Sequence, residues 1–272
     1  MRASPVHGEV RSLGYRTDLM LLAFQGSTVT RRDGYLVVRT PNNPTFHWGN
    51  FLLLAQMPPP HDLACWIARF AAEFPTARHL AFGVDLTQAG AGDGDALAAA
   101  GLEVSQDIVL TASTLSRPER FNTEAEYRLL SSDDDWKALL STRLAAGDDT
   151  AATHEFLERK VADERRMVEA GHGAWFGAFL GGRLRSGLGV FTDGRGLVRY
   201  QNVVTHPDAR RQGLATSLVY VAGRYAATAW DARTLVIVAE PDSRAIGLYR
   251  GLGFTDTEQQ IALQHENPGV RS

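Results

Sequence analysis

The chain has 272 residues, 44% of them hydrophobic and 22% charged, which is the balance of a globular protein with room for two cores and excludes a wholly disordered chain. A net charge of −3 argues against a general nucleic-acid binder, which would carry a basic excess. The longest early apolar run, Leu19 to Phe24, is far shorter than the ~20 residues that span a bilayer, and no charged-then-apolar leader precedes it. A cytoplasmic protein with neither nucleic acid nor membrane as partner is expected.

In chain order, the first β-type runs are Tyr35 to Arg39 and Asn50 to Leu54, flanking the turn-rich Pro41-Asn42-Asn43-Pro44. His47-Trp48-Gly49-Asn50 offers rings that could stack an acceptor or pack an interface between halves, and packing is the plainer reading. A helix is expected from about His61 to Phe74. It holds the single cysteine, Cys65, which has no base placed beside it by the pattern and reads as a reduced, buried thiol. A strand at Leu80 to Asp85, a small helix at Ala96 to Ala100, the turn Gly101-Leu102 and a strand at Ile108 to Leu110 follow. Ser113 to Glu124 is polar, contains Pro118 and has no periodicity, so it reads as a linker between domains at 1–115 and 125–266.

The second half opens with a strand at Tyr127 to Leu130 and the capping cluster Ser131 to Asp135, before a helix from about Trp136 to Ala145. A charged helix runs from about His154 to Ala170. His154 and Glu158 have i,i+4 spacing that could suit a metal, but the surrounding Glu, Arg and Lys residues make this a solvated face, and no metal site is expected. Trp175 to Leu180 and Ser186 to Phe191 read as hairpin strands around Gly181-Gly182, and Asp193-Gly194 turns into a strand at Leu197 to Thr205. After the basic stretch Val204 to Ala215 comes an apolar helix over Thr216 to Ala227. A strand at Leu235 to Ala239, the turn Glu240 to Arg244 and a helix within Ala245 to Phe254 complete the pattern.

A strand that feeds through Arg210-Arg211-Gln212-Gly213 into a helix builds an anion site. The first helical N–H groups lack intrahelical partners, and their dipole favours an anion by about 0.3–2 kcal/mol. Gly213 permits close backbone approach, small Ala215 leaves the first turn uncovered, and the guanidinium groups suit phosphate.

Arg210-Arg211-Gln212-Gly213-Leu214-Ala215 resembles the Gln/Arg-x-x-Gly-x-Gly/Ala motif of the GNAT superfamily of acetyl-CoA-dependent N-acetyltransferases. Ala245-Ile246-x-Leu248-Tyr249-x-x-Leu252-Gly253-Phe254 resembles that family's second signature, in the matching order and interval. The resemblance covers about residues 126–265 and departs at Asp242, where many members carry asparagine. It implies an α/β fold and an acetyl group passed from acetyl-CoA to a primary amine on a small molecule or protein. It further implies that the backbone of Val203, Val204 and Thr205 pairs with the pantetheine arm. The backbone of Arg211, Gln212, Gly213, Leu214, Ala215 and Thr216 would cradle the pyrophosphate, with Arg210 and Arg211 adding charge. Tyr249 matches the tyrosine that protonates the departing thiolate, and a phenol with a pKa of about 10 is protonated at neutral pH.

The first half repeats part of this plan. Leu80 to Asp85 aligns with Leu235 to Glu240, and Gly101-Leu102 aligns with Gly253-Phe254. Two GNAT-like mixed sheets flanked by helices are therefore expected, the N-terminal one degenerate. In place of the basic loop stands Gln56-Met57-Pro58-Pro59-Pro60, whose prolines lack the backbone donors that would hold a pyrophosphate, and near Leu97 no tyrosine replaces Tyr249. A monomer fits a tandem pair.

No general base is assigned. Glu240 reads equally as a base or a solvated turn residue, while His206, Asp242 and Tyr200 are weaker alternatives and a water chain could serve. The competing reading is a non-catalytic CoA-binding sensor or interaction module, motivated by the missing base and by Asp242.

Overall fold

The computed structural model describes residues 9–88, 90, 93–99, 101–147 and 150–266. The chain divides into two compact units that interleave along the sequence. Unit 1 runs to Val109 and also takes Val238–Asp242 and the segment from Asp256 onward, while unit 2 takes Leu110–Ile237 and Ser243–Thr255. A single cut between residues 115 and 125 does not describe this division.

Unit 1 begins with helix α1, Leu13–Phe24, whose N-terminus is doubly fixed. Ser12 Oγ accepts from Tyr15 N, and the Asp85 carboxylate accepts from the backbone N–H of Arg11 and of Ser12 at 2.9 Å each. Strands β1 (Thr28–Arg32), β2 (Tyr35–Arg39) and β3 (Phe51–Leu54) pair antiparallel in succession, and after helix α2 (Leu63–Glu73) strand β4 (His79–Val84) lies parallel to β3. That crossover is what a strand, helix, strand order dictates. Helix α3 (Asp93–Ala99) and strand β5 (Glu103–Ala112) follow.

Helix α2 buries Leu63 and Phe70 against a core that includes Phe82, Val84 and Leu97. Cys65 does not join that core. It is exposed, because the stripe that Leu63 and Phe70 define turns residue 65 outward. The His47 to Asn50 turn packs inside unit 1: His47 stacks on His79 at 4.2 Å, Trp48 meets Phe51 edge-on, and Asn50 accepts from Thr40 N.

In unit 2 the end of β5 leads into the connector Ser113–Glu124, which has no regular structure, and strand β6 (Glu126–Leu129). Helix α4 (Asp133–Ala146) opens on a full capping box between Ser132 and Asp135, and helix α5 (Ala151–Glu169) packs beside it. Strands β7 (Gly173–Leu180), β8 (Arg183–Thr192) and β9 (Leu197–Thr205) form an antiparallel meander with β6. Helix α6 (Leu214–Trp230), strand β10 (Thr234–Ala239) and helix α7 (Ala245–Gly251) follow. Adjacent β7 residues address opposite faces, Trp175 meeting Trp136 of α4 and Phe176 meeting Tyr225 of α6. The sheet of unit 2 is thus covered by α4 and α5 on one face and by α6 on the other.

The last strand, β11 (Thr255–Glu266), pairs antiparallel with β4 from Ile261↔Val84 to Glu266↔His79 and lies between β4 and β5. Ile261 and Leu263 are fully buried in the unit 1 core, and Tyr15 of α1 donates to Ile261 O at 2.6 Å across Gly83. A Cβ on Gly83 would stand 2.6 Å from the Tyr15 ring.

Candidate active site

The loop from β9 to α6 is built from backbone first. His206 Nδ1 accepts from Asp208 N at 3.3 Å and starts a single 3-10 turn over Pro207–Ala209. Arg211 then adopts φ +62° and Gly213 φ +75°. Left-handed residues spaced this way turn neighbouring N–H groups toward one side, a concavity that suits an anion. A left-handed conformation at a non-glycine residue costs about 1–3 kcal/mol, which marks Arg211 as held there by its surroundings. Helix α6 begins immediately afterwards with no side chain capping it. Among the described residues, the N–H groups of Leu214, Ala215 and Thr216 have no acceptor, and Arg210 and Arg211 are exposed without a carboxylate partner.

Gly213 has a second reason to be glycine that the sequence did not reveal. A Cβ there would sit 2.6 Å from the carbonyl oxygen of Arg120. The connector is no free linker at this point, because Asn122 Nδ2 donates to Gln212 O and Asn122 N donates to Ser217 Oγ, both at 2.9 Å. Residues 120–122 therefore strap the first turn of α6.

Strand β9 supplies the other half of the site. It pairs with β10 only through Leu197↔Thr234, Val198↔Leu235 and Arg199↔Val236. Beyond Arg199, the edge of β9 from Tyr200 to Thr205 continues without a ladder on that side, while its other edge stays paired with β8. Ser186 Oγ donates to Val204 O at 2.7 Å on the β8 side. Strand alternation then directs backbone groups of Val203 and Thr205 to the open edge. Open backbone groups in a half-buried strand require partners, and an extended ligand can supply them.

The pairing of β8 with β9 shifts register between Gly187↔Val204 and Gly189↔Gln201, so Leu188 faces two residues, Asn202 and Val203. This is a β-bulge with Asn202 at φ +51°. Two of the three non-glycine residues with positive φ among the described residues, Asn202 and Arg211, thus bracket Val203 to Thr205.

Sequence reasoning missed the buried polar pair bonded to the bulge. Asn202 Nδ2 donates to Glu164 Oε1 of α5 at 2.7 Å, and Glu164 Oε2 lies 2.7 Å from Arg143 Nη1 of α4. The side chains of Arg143 and Glu164 are 4% and 5% exposed, and the Arg143 guanidinium lies 4.9 Å over the Trp175 ring. Burial pushes the Glu164 carboxyl above its ordinary range against the opposing pull of Arg143, and burial also lowers Lys160 beside them. A charged helix conceals such residues in sequence, since Glu164 and Arg143 look like two more members of solvated faces.

Tyr249 lies on α7, 5% exposed, with Phe254 edge-on at 6.2 Å. Phe254 meets Tyr200 of β9 at 5.9 Å, so a run of three rings ties α7 to the strand with the open edge. Burial raises the Tyr249 phenol to about 12. Tyr200 is no base: its hydroxyl donates to Val219 O of α6 at 3.0 Å, and burial pushes its pKa far above the ordinary phenol value. His206 uses Nδ1 as a cap, and Glu240 and Asp242 are exposed residues of unit 1.

The corresponding place in unit 1 is closed. Strand β3 pairs with β4 through Leu52↔Phe82, Leu53↔Gly83 and Leu54↔Val84, and Asp85 N continues the ladder to Leu54 O at 2.8 Å. Every residue of β3 is buried, and Pro58, Pro59 and Pro60 precede α2. Among the described residues, no strand edge is left there to receive an extended ligand.

The sequence of residues 136–254 matches the model of the acetyltransferase (GNAT) family. A search of curated proteins by sequence returned no match. Similar solved structures include a functionally unknown conserved protein from Staphylococcus epidermidis, with TM-score 0.72 and 11% identity over 89% of this chain and 95% of that one. A GCN5-related N-acetyltransferase from Kribbella flavida gives TM-score 0.66 and 15% identity over 98% of both chains. A tandem GNAT protein from the clavulanic acid biosynthesis pathway gives 0.57 and 14% over 100% of this chain and 97% of that one. At these identities the likeness is one of fold.

Proposed function

We propose that this chain, whose residues 136–254 match the acetyltransferase (GNAT) family model, is an acetyl-CoA-dependent N-acyltransferase that acetylates a primary amine and works from unit 2 alone. The observation that supports it best is the coincidence, within one unit, of an open β9 edge with an uncapped α6 N-terminus. The backbone of Val203, Val204 and Thr205 would take the pantetheine arm as an added strand. The N–H groups from Arg211 to Thr216, with Gln212, Gly213, Leu214 and Ala215 between them, would hold the pyrophosphate, and Arg210 and Arg211 would supply charge.

The reaction forms a C–N bond as the neutral amine attacks the thioester carbonyl and breaks the C–S bond as the tetrahedral intermediate collapses. The sulfur leaves as a thiolate. Tyr249, fully protonated at neutral pH, donates to that thiolate. Its high pKa does not disqualify it, because the apolar surroundings that raise the phenol also raise a thiol placed beside it. The amine proton goes to water, since Tyr200 and His206 are committed elsewhere, and water returns a proton to the Tyr249 phenolate before the next turnover.

The acceptor is a small-molecule or protein amine, the chain acts as a monomer, and the compartment is the cytoplasm. A panel of primary amines offered with acetyl-CoA, read by release of free thiol, tests the proposal. Amine-dependent thiol release supports it. Coenzyme binding without thiol release for any amine would favour a CoA-binding sensor instead.

A further inference from the structure

The Arg143–Glu164 pair is a buried ion pair that no step above uses. Such pairs seldom stabilise a fold over apolar residues of equal volume, so its presence here invites another reason. It reaches the sheet through the hydrogen bond from Asn202, the left-handed residue of the β9 bulge. Asparagine adopts that conformation at a cost, and its side chain is tied at 2.7 Å to a carboxylate that is itself fixed by a guanidinium stacked on Trp175. The bulge in turn sets which way the next backbone groups, Val203 to Thr205, face.

We propose that Glu164, anchored by Arg143, is a positioning residue that clamps Asn202 and thereby holds the open edge of β9 in the geometry that receives the pantetheine arm. This rests on the coenzyme reading of unit 2. The clamp acts at one end of the site only. It does not touch the α6 N-terminus, where phosphate would be held.

The test uses the full chain and three variants. Asn202→Ala removes the clamped side chain and penalises the left-handed backbone, Asn202→Gly removes the side chain alone, and Arg143→Met with Glu164→Leu replaces the ion pair by apolar bulk that keeps the fold. Each is titrated with coenzyme A and with ADP, which carries a pyrophosphate but no pantetheine. Amide hydrogen exchange over residues 201–205 is followed without any ligand. The clamp predicts faster exchange at 201–205 in Asn202→Ala and in the double variant. It also predicts roughly tenfold weaker coenzyme A binding in both with ADP affinity unchanged, and a smaller loss in Asn202→Gly.

Equal losses for coenzyme A and ADP would mean a general structural role and overturn the proposal. Unchanged exchange at 201–205 in the double variant would overturn it too. If the wild-type chain binds neither ligand, the coenzyme reading fails, and faster exchange at 201–205 in the variants still shows the clamp.

Discussion

Tyr249 carries the sharpest residue-level expectation, because its buried phenol is the one side chain given a proton to donate. Tyr249→Phe should slow turnover by about 10²–10⁴-fold while coenzyme A affinity holds. A loss of affinity instead would assign the hydroxyl a structural task. Gly213 is constrained twice, by φ +75° and by the Arg120 carbonyl, so Gly213→Ala should lower both the melting temperature and coenzyme A affinity. His79 gives a pH signature in unit 1. Burial and the neighbouring His47 depress its pKa, so the fold binds the neutral ring. Its contribution is complete above the ordinary histidine value of about 6.5 and declines as pH falls from there toward the depressed value. Urea midpoints at pH 7.5 and pH 5 should therefore differ more for the wild type than for His79→Gln.

Among the elements, those with one clear apolar period were legible, and those without were not. Strand β9 has the bounds expected from sequence, and the capping cluster before α4 is a true capping box. Helix α1 escaped notice because it buries Gly14, Tyr15, Thr17 and Leu19 to Leu22, residues that circle the helix instead of forming a stripe. Strand β1, Thr-Val-Thr-Arg-Arg, is an exposed, charged strand with no alternation to read. In the candidate site the glycine, the arginines and Tyr249 were readable as motifs. The bulge, the clamp and the strap were not, since each depends on which helix or loop lies against β9 or α6 in space. At α4, Arg128 and the N–H groups of Ser131 and Ser132 hold the Asp135 carboxyl well below the usual range. Asp135→Ala should cost about 1–3 kcal/mol of unfolding free energy by denaturant titration at pH 7. The sign of the shift puts that contribution above the ordinary carboxylate pKa of about 4, so the difference between variant and wild type should shrink on acidification below it.

At the scale of the whole molecule, two units of related plan differ where it matters for chemistry. In unit 1 the parallel pair β3 and β4 stays laddered to the end of β3 at Leu54, whereas in unit 2 the pairing of β9 with β10 stops at Arg199, well before the end of β9 at Thr205. In sequence the two halves also differ at this place, where Pro58 to Pro60 stand against Arg210 to Ala215. The sequence did not show that unit 1 is completed by β11 from the far end of the chain. A fragment ending at residue 115 lacks the buried Ile261 and Leu263 and leaves the facing edges of β4 and β5 unpaired. Such a fragment should give no cooperative thermal transition by circular dichroism, and a sharp transition would show that unit 1 does not need β11.

Calorimetric titration of coenzyme A into the wild-type chain and into the Arg210→Ala, Arg211→Ala double variant tests the central claim that unit 2 alone holds the coenzyme at the α6 N-terminus. The expected result is one coenzyme per chain, with binding weakened in the double variant by about 1.5–3 kcal/mol for each charge-assisted hydrogen bond removed. Two coenzymes per chain, or an affinity that the double substitution leaves unchanged, would contradict it.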